Sequence, residues 1–523
     1  MPDPKRIEID GRRVPIEEGD TILSAARRAG IDIPTLCHLD EASKSPSCMV
    51  CLVKDLKRGR LVPSCSALAE EGMEIDASSS EVATARKTAL EMLLSEHLGD
   101  CEGPCEMACP LMLDIPRAIR AIRKGDRTGT KVAVSAGNPL PRSACRICHA
   151  PCEKACRRGR HDAPVAIRAL MLSAFPDGDP LDTIAPSAEP TGRSGKRVAV
   201  VGAGPAGLAC AAELAGCGHG CVVFERAATA GGALRSAVSA EALDADIAET
   251  ARKGVGIELG AEFAFDSARP VPNGFDALVI ATGRLKKDAV PPLGLETDEG
   301  GVTVDPATYA TSIKGVFAVG GATFPESNPI QSMADAVSAA RAVDAFLGGA
   351  AAKKISRETI FNSRFGALEP GDMATFLASA GSAERFEPEK NAEFEPDSAK
   401  REAERCLDCD CAAADSCELR GLATEFGVDT AKFREDRGKD GRGVEFVKIK
   451  GAGVVLETGK CVLCGRCVET TRNLDEGLVF IGRGYDCVVG PPLDAPLERA
   501  LGNSKDLCVE RCPTGAISRA SRA

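Results

Sequence analysis

The chain carries 24 cysteines among 523 residues, gathered in tight runs, with none between Cys221 and Cys406. Thiols a few residues apart can turn toward one centre, and as thiolates they hold metal or do redox chemistry. In a small secreted chain such a count would point to disulfides. Here the start, Met1-Pro2-Asp3-Pro4-Lys5, has no apolar signal run. No stretch approaches the roughly 18 apolar residues of a membrane helix. The expectation is a cytoplasmic chain with no membrane span and with thiols engaged by metal. A net charge of −11 argues against a nucleic-acid surface, which needs a basic stripe, and favours protein partners.

Four runs of ligands stand out. Cys37, Cys48, Cys51 and Cys65 form C-x10-C-x2-C-x13-C, four thiolates as a [2Fe–2S] centre requires, with a longer first gap than the plant-type spacing. A zinc site or free thiols is the alternative. His97, Cys101, Cys105, Cys109, Cys145, Cys148, Cys152 and Cys156 follow, the C-x3-C-x3-C spacing setting successive thiols about one helical turn apart. Cys406, Cys409, Cys411 and Cys417 form C-x2-C-x-C-x5-C, compact enough to wrap one [4Fe–4S] cube, with zinc again the alternative. Cys461, Cys464 and Cys467, closed by Cys512-Pro513, form a [4Fe–4S] half-motif in which the Cys before Pro serves the other run. A second cluster there would need Cys at 471, 502, 505 and 508, where Thr471, Gly502 and Lys505 fill the first three places. Cys210, Cys217, Cys221, Cys487 and Cys508 are left over and read as structural.

A different chemistry sits between the thiol runs. Arg197–Val201 is an apolar run of buried-strand type. It leads into Gly202, Ala203, Gly204, Pro205, Ala206 and Gly207 and then a helix, the turn that brings backbone amides to a pyrophosphate. Cys221–Glu225 is the next strand, with Glu225 at the distance for ribose hydroxyls and Arg226 beside it. This fingerprint alone does not separate NAD from FAD.

The elements that position these groups are partly legible. Arg6–Ile9 and Arg13–Ile16 flank Asp10-Gly11 as a hairpin. Asp20 or Thr21 caps a helix that runs to Ala29 and stops at Gly30. Charged stretches 387–405 and 436–442 read as linkers or solvated helix faces.

The first 80 residues, through Thr35–Cys37, Cys48–Cys51 and Gly59–Cys65, resemble the β-grasp ferredoxin domain of the large iron–sulfur subunit of complex I and related hydrogenases; Pro46 and Met49 depart from its usual Gly and Arg. The segment with Cys105-x3-Cys109-Pro110, Asp114-Ile115-Pro116, Asn138–Pro141, Cys152–Arg158 and Pro164–Ile167 resembles the N-terminal domain of glutamate synthase small subunits and dihydropyrimidine dehydrogenases, which holds two [4Fe–4S] clusters. That resemblance implies that Cys101, Cys105 and Cys156 share one cluster and Cys109, Cys148 and Cys152 the other, which leaves each short of a fourth ligand. Cys145, where the family usually has Gly, is the expected fourth ligand of the second, and His97, four residues before Cys101, that of the first. Met171 lies near where some relatives place a polar ligand and replaces it poorly.

The likeness continues through the flavin segment. Gly231–Arg235, with Gly232 and Leu234, resembles a second phosphate-side loop. Ala281-Thr282-Gly283 matches a strand-end turn, and Gly315–Gly321, with Gly320, matches the strand touching the ribityl chain. The helix near 330–346 then aims its N-terminus at the isoalloxazine. Gly321 stands where relatives usually have Asp, so a ribityl hydrogen bond is lost. Relatives insert a nicotinamide domain between the last two motifs, whereas here about 30 residues separate Gly283 from Gly315. A βαβ unit alone needs roughly 30 or more. The Cys406–Arg420 segment is similar to tails on some relatives, and the last 75 residues resemble a two-cluster ferredoxin that has lost one cluster.

The fold expected is multidomain α/β and α+β. Residues 1–80 form a β-grasp [2Fe–2S] domain, 81–190 an α-helical double-cluster domain, and 191–350 a Rossmann-like FAD domain. A cluster-bearing connector at 351–445 and a ferredoxin-like domain at 446–523 complete the chain. The cofactors expected are FAD, one [2Fe–2S] and about four [4Fe–4S] clusters. No paired carboxylates or nucleophile appear, and His38, His149, His161 and His219 have no evident catalytic partner. The function expected is electron relay inside a multisubunit oxidoreductase. Its partners would be a hydrogenase-, formate- or aldehyde-oxidoreductase-like subunit or an NADH-handling flavin subunit. The alternatives are a self-contained NAD(P)H-oxidising flavoenzyme and a cluster-bearing scaffold without flavin.

Overall fold

Alternating residues bury Ile7 and Ile9 on one face of Arg6–Ile9 (β1). Asp10 and Gly11, both at positive φ, turn the chain into the antiparallel Arg12–Pro15 (β2), as the hairpin reading requires. Thr21 caps Ile22–Arg28 (α1), its hydroxyl accepting from the Ser24 amide while the Ser24 hydroxyl accepts from Thr21 N–H. Leu52–Asp55 (β3), Arg60–Pro63 (β4) and Glu74–Asp76 (β5) complete a sheet of order β2-β1-β5-β3-β4. Ser79 then caps Ser80–Glu96 (α2), which ends at the buried His97.

This computed structural model describes residues 5–40, 46–97, 99–176, 194–284, 294–298, 301–324, 328–349, 370–378, 380–386, 394–414, 416–430, 432–433, 447–451 and 453–519. The charged stretch 436–442 and residues 387–393 lie outside them. The chain divides into two units. The first comprises Met1–Glu102, Glu358–Ala378 and Cys409–Ala523; the second comprises Gly103–Arg357 and Ser379–Asp408. The first unit is therefore interrupted in sequence by the second, and the expected connector 351–445 contributes to both.

In the second unit short helices come first: Pro104–Ala108 (α3), Ile115–Lys124 (α4), Arg127–Ser135 (α5), Pro141–Ile147 (α6), Pro151–Lys154 (α7) and Ile167–Leu172 (α8). Proline at the first helical turn of α3, α4, α6 and α7 is preorganised for helix and lacks only an amide that would be unpaired there. A parallel sheet follows, built of Arg197–Val201 (β6), Gly220–Glu225 (β7), Gly256–Leu259 (β8), Ala277–Ile280 (β9) and Val316–Ala318 (β10) in the order β10-β9-β6-β7-β8. Pro205–Gly216 (α9), Ala240–Arg252 (α10) and Pro329–Leu347 (α11) accompany it, and α9 packs on α11. One apolar core runs from Leu111–Ile122 through Leu170 to Val198, Leu208 and Met333, so the helical segment and the sheet share an interior. Asp246 of α10 fastens them by accepting the Arg142 and Ser143 amides at the start of α6, at 3.1 and 2.8 Å.

Pro370–Leu377 (α12) belongs to the first unit and Pro396–Ala403 (α13) to the second, where α13 packs on α4. Glu418–Glu425 (α14) returns to the first unit and packs on α2. Lys448–Gly451 (β11), Val454–Glu457 (β12), Arg466–Thr470 (α15), Val479–Ile481 (β13), Val488–Gly490 (β14), Leu497–Leu501 (α16), Lys505–Arg511 (α17) and Ile517–Arg519 (β15) end the chain. They make a β11-β12-β15 sheet and a β13-β14 hairpin around Leu456, Leu478, Leu501 and Cys508. Among the described residues no helix is long and apolar enough to cross a membrane.

Candidate redox centres

The N-terminal quartet converges. Met49, at φ 57°, bends the loop so that Cys48 and Cys51 both turn inward ahead of β3. The Cys51 carbonyl accepts from the Ser64 amide and hydroxyl, which places Cys65 opposite. The Cys37 thiol lies against those of Cys48 and Cys65, and Cys51 lies against Cys65. Hydrogen bonding to Cys48 and then Cys65 pulls the Cys37 thiol far down, and the same contact pushes Cys48 up. The Cys65 thiol lowers Cys51 to about 6. Four thiols in mutual contact fit a two-iron centre, which Cys37, Cys48, Cys51 and Cys65 would hold as thiolates.

In the second unit Cys109, Cys145, Cys148 and Cys152 form a second quartet. Cys109 ends α3, Cys145 and Cys148 lie in and at the end of α6, and Cys152 opens α7. Burial, and after it the charges of Cys109, Cys145 and Cys148, drives the Cys152 thiol well up. Cys145, wholly enclosed, is raised by burial and then by Cys148 and Cys109. Amides of Leu111, Met112 and Leu113 point at the Cys109 sulfur and that of Ala150 at Cys148, the donors that stabilise a thiolate-bound cluster. Met171 is buried in α8 as core. Cys105, Cys156 and Cys406 pack along the same core.

A buried ion network holds the Cys156 and Cys406 segments. Arg405 bonds Glu402 at 2.9 Å, Asp162 at 3.1 Å and the carbonyls of Ala163, Pro164 and Ala383. Arg158 bonds Asp162 at 2.7 Å and the carbonyls of Gly381 and Arg405, each at 2.8 Å. Sequence reading passed over both arginines. Their sign was visible only as basic residues beside cysteines.

In the first unit Cys461, Cys464, Cys467 and Cys512 line one pocket with Leu456 and Ile517. Leu463 and Gly465, at φ 52° and 75°, curl the loop around it. The Leu463 amide reaches the Cys461 sulfur, and the Ile517 amide that of Cys512, both at 3.4 Å. Burial pushes Cys461 up to about 11 and Cys464 to about 12. Thr471, at a vanished second-cluster position, is buried and donates to the Cys467 carbonyl. Cys508 is core, as expected of a structural residue. Cys101, Cys409, Cys411 and Cys417 also fall in this unit, whereas Cys105, Cys156 and Cys406 fall in the second. Among the described residues no three His, Cys, Asp or Glu side chains are placed to hold a single metal ion; cluster thiolates bind different irons and stand further apart.

The glycine turn separates by role. A Cβ on Gly202 would lie 2.4 Å from the Ala281 carbonyl oxygen, and one on Gly207 would lie 1.9 Å from that of Gly202. These two glycines are required by strand–helix packing. A Cβ on Gly204 would meet no protein atom within 4 Å, so that face of the turn is open for a ligand. Pro205 opens α9, and Gly231 donates to the Ala203 carbonyl at 2.7 Å, laying the Gly232–Leu234 loop against the turn. Glu225 accepts from the amides of Ala203 and Ala227 at 2.8 and 2.9 Å and keeps lone pairs for a ribose. Arg226 and Thr282 are exposed, and Gly283 has φ 76°. A Cβ on Gly320 would touch Ala206 at 2.8 Å and Ser332 at 3.6 Å, so the N-termini of α9 and α11 converge there. These residues fit a flavin dinucleotide. Gly321 has a packing reason: a Cβ would stand 2.9 Å from the Arg284 amide nitrogen.

Residues 3–80 match a 2Fe-2S iron–sulfur cluster binding domain. Residues 80–175 match dihydropyrimidine dehydrogenase domain II, 4Fe-4S cluster, and 182–342 match pyridine nucleotide-disulphide oxidoreductase. The three matched segments are iron–sulfur and flavin-type redox domains. The NADP-reducing hydrogenase subunit HndD of Solidesulfovibrio fructosivorans is 44% identical over 111 residues, 19% of each chain. The glutamate synthase [NADPH] small chain of Mycobacterium tuberculosis is 34% identical over 206 residues, 38% of this chain and 42% of that one. The NADP(+)-dependent formate dehydrogenase subunit beta of Moorella thermoacetica is 32% identical over 209 residues, 34% of this chain and 29% of that one. The chain thus spans well under half the length of these relatives. It is an iron–sulfur flavoprotein-like oxidoreductase component related to them.

Proposed function

We propose that this chain is an electron-relay subunit of a multisubunit oxidoreductase, carrying FAD, one [2Fe–2S] and about four [4Fe–4S] clusters between partner redox subunits. The observation that supports it best is the repetition of converging thiol sets in each unit, together with one dinucleotide-type sheet among the described residues of the second. Bound FAD supplies exchange between two-electron and one-electron transfer. The chain's part is to position and insulate. Gly204 leaves room for the pyrophosphate, and the α9 and α11 N-termini favour negative charge at the ring. Amides aimed at Cys109, Cys148, Cys461 and Cys512 stabilise thiolates, and the apolar cores exclude water.

The described residues between Gly283 and Gly315 include no helix and only an isolated bridge, Thr297 to Val302, together with one from Ala310 to Phe317. This favours electrons arriving from a partner over hydride from NAD(P)H. Relatives named as hydrogenase and formate dehydrogenase subunits favour a partner of that class, in the cytoplasm.

Anaerobic affinity purification should return redox subunits with the chain, about 18 iron atoms per chain, acid-labile sulfide and FAD. Rapid bleaching of the flavin on mixing the isolated chain with NADH or NADPH would replace this reading with a self-contained NAD(P)H-oxidising flavoenzyme. Full iron without flavin absorbance would leave a cluster-bearing scaffold.

A further inference from the structure

The compact run from Cys406 to Cys417 invites assignment to one cluster. The two-unit architecture divides it: Cys406 belongs to the second unit and Cys411 and Cys417 to the first. The first unit itself breaks off at Glu102, one residue after Cys101, takes up Glu358–Ala378, and after a second break continues from Cys409. The chain on either side of the interruption is directly joined by hydrogen bonds. The Cys411 amide donates to the Cys101 carbonyl at 3.2 Å, and Arg420 is ion-paired with Glu102 at 2.5 Å.

Helix packing brings in the other two residues. Cys417 is the N-cap of α14, and His97 follows the last residue of α2. Leu90 and Leu94 of α2 share an apolar cluster with Leu419 and Ala423 of α14. Glu91 accepts from the Asp429 amide at 3.3 Å and from Lys432 at 2.5 Å, just beyond the C-terminal end of α14. The helices therefore run antiparallel, and the Cys417 end of α14 lies toward the His97 end of α2. His97, Cys101 and Cys411 are buried at 6%, 7% and 3% exposure.

We propose that His97, Cys101, Cys411 and Cys417 form the ligand set of one [4Fe–4S] cluster, assembled from the two ends of the interrupted unit. This rests on the iron–sulfur reading above and replaces the grouping of Cys101 with Cys105 and Cys156. The donor chemistry fits. The Arg420 amide donates to the Cys417 sulfur at 3.4 Å, and α14 turns its positive end toward the same sulfur. The enclosed Lys460 lies against Gly99, where a Cβ would stand 2.6 Å from its Cγ. Its ammonium is ion-paired with Glu457 at 2.5 Å. A cation is thus stationed beside the thiolate set.

The position is also suited to relay. Cys37 and Cys48 of the N-terminal quartet and Cys464 of the C-terminal quartet pack on the apolar cluster that holds Cys101 and Cys417. The Cys417 sulfur lies 3.5 Å from the Pro513 carbonyl, next to Cys512. The cluster would stand between the other two centres of its unit.

The test uses the full chain, prepared anaerobically, with iron analysis and EPR after dithionite. Cys101→Ser, Cys411→Ser and Cys417→Ser should each abolish or alter the same [4Fe–4S] signal. Cys406→Ser should leave that signal and change a different one. His97→Cys should keep the iron and move the g-values of the signal that Cys411→Ser removes. This variant keeps the test decisive if a serine variant fails to fold. Co-loss of one signal in Cys406→Ser and Cys411→Ser, with Cys101→Ser affecting another, would overturn the assignment. Zinc in place of iron at this set would overturn it too. Absence of labile sulfide from the unmutated chain would instead refute the broader reading.

Discussion

Two substitutions in one turn separate packing from binding. Gly207→Ala places its Cβ 1.9 Å from the Gly202 carbonyl oxygen and 3.3 Å from Ala281 Cβ, where both neighbours belong to the parallel sheet or its turn. Relief requires the strand–helix junction to shift by more than an ångström, and overpacking of this kind costs about 1–3 kcal/mol or more. Gly204→Ala meets nothing within 4 Å, and its φ of −77° suits any L-residue. Alanine is a poorer N-cap than glycine by roughly 0.5–1 kcal/mol, and the loss of unfolded-chain freedom offsets about 0.4–1 kcal/mol. The flavin-free Gly204→Ala protein should therefore unfold at the wild-type temperature. Its methyl group would occupy the open face at the α9 N-terminus and hold the pyrophosphate off the backbone amides. Losing one or two hydrogen bonds to a charged group, at about 1.5–3 kcal/mol each, weakens FAD binding roughly ten- to ten-thousandfold. Thermal denaturation of the apoprotein and titration with FAD, followed by quenching of flavin fluorescence, measure both quantities. Wild-type FAD affinity in Gly204→Ala, or an unperturbed Tm in Gly207→Ala, would refute the division of roles.

Three further outcomes follow from named contacts. Arg405→Met strands the fully buried Glu402 carboxylate and should cost about 3–5 kcal/mol in chemical denaturation, with iron lost from the second unit. Gly321→Asp should lower stability and leave FAD affinity no better, because the added Cβ meets the Arg284 backbone at 2.9 Å; tighter FAD binding would show that the turn yields. The Arg158 guanidinium holds the Asp162 carboxyl well below the usual range, so its contribution is present above the ordinary value of 3.8 and is lost as pH falls through the depressed one. Asp162→Asn should flatten the acid limb of a stability–pH curve. Asp246, raised by burial to about 6, acts in the opposite sense: its contribution is full below the ordinary value of 3.8 and is lost as pH rises from there through about 6.

Local features were readable in the chain because local geometry alone enforces them. The hairpin at Asp10-Gly11, the Thr21 cap, the strand–turn–helix at Val201–Pro205 and the curled loop at Cys461–Cys467 each depend on neighbours within a few residues. Cys145 could be proposed as a fourth thiol because it stands where the resembled family usually has Gly, in a set otherwise one ligand short, and the fold places it near Cys109, Cys148 and Cys152. The Gly321 substitution could be noticed but not explained from sequence, since its partner is the backbone at Arg284.

The sequence by itself determined the chemistry: thiolates in cluster-forming numbers, a dinucleotide turn, and the helices and strands that begin and end around them. Tertiary structure decided partnership. Cys101 and Cys411 stand 310 positions apart in the numbering, yet their backbones are hydrogen-bonded. Spacing along a chain fixes which thiols can meet through a short loop. It carries no information about an interruption that closes on itself and returns the chain to the place it left.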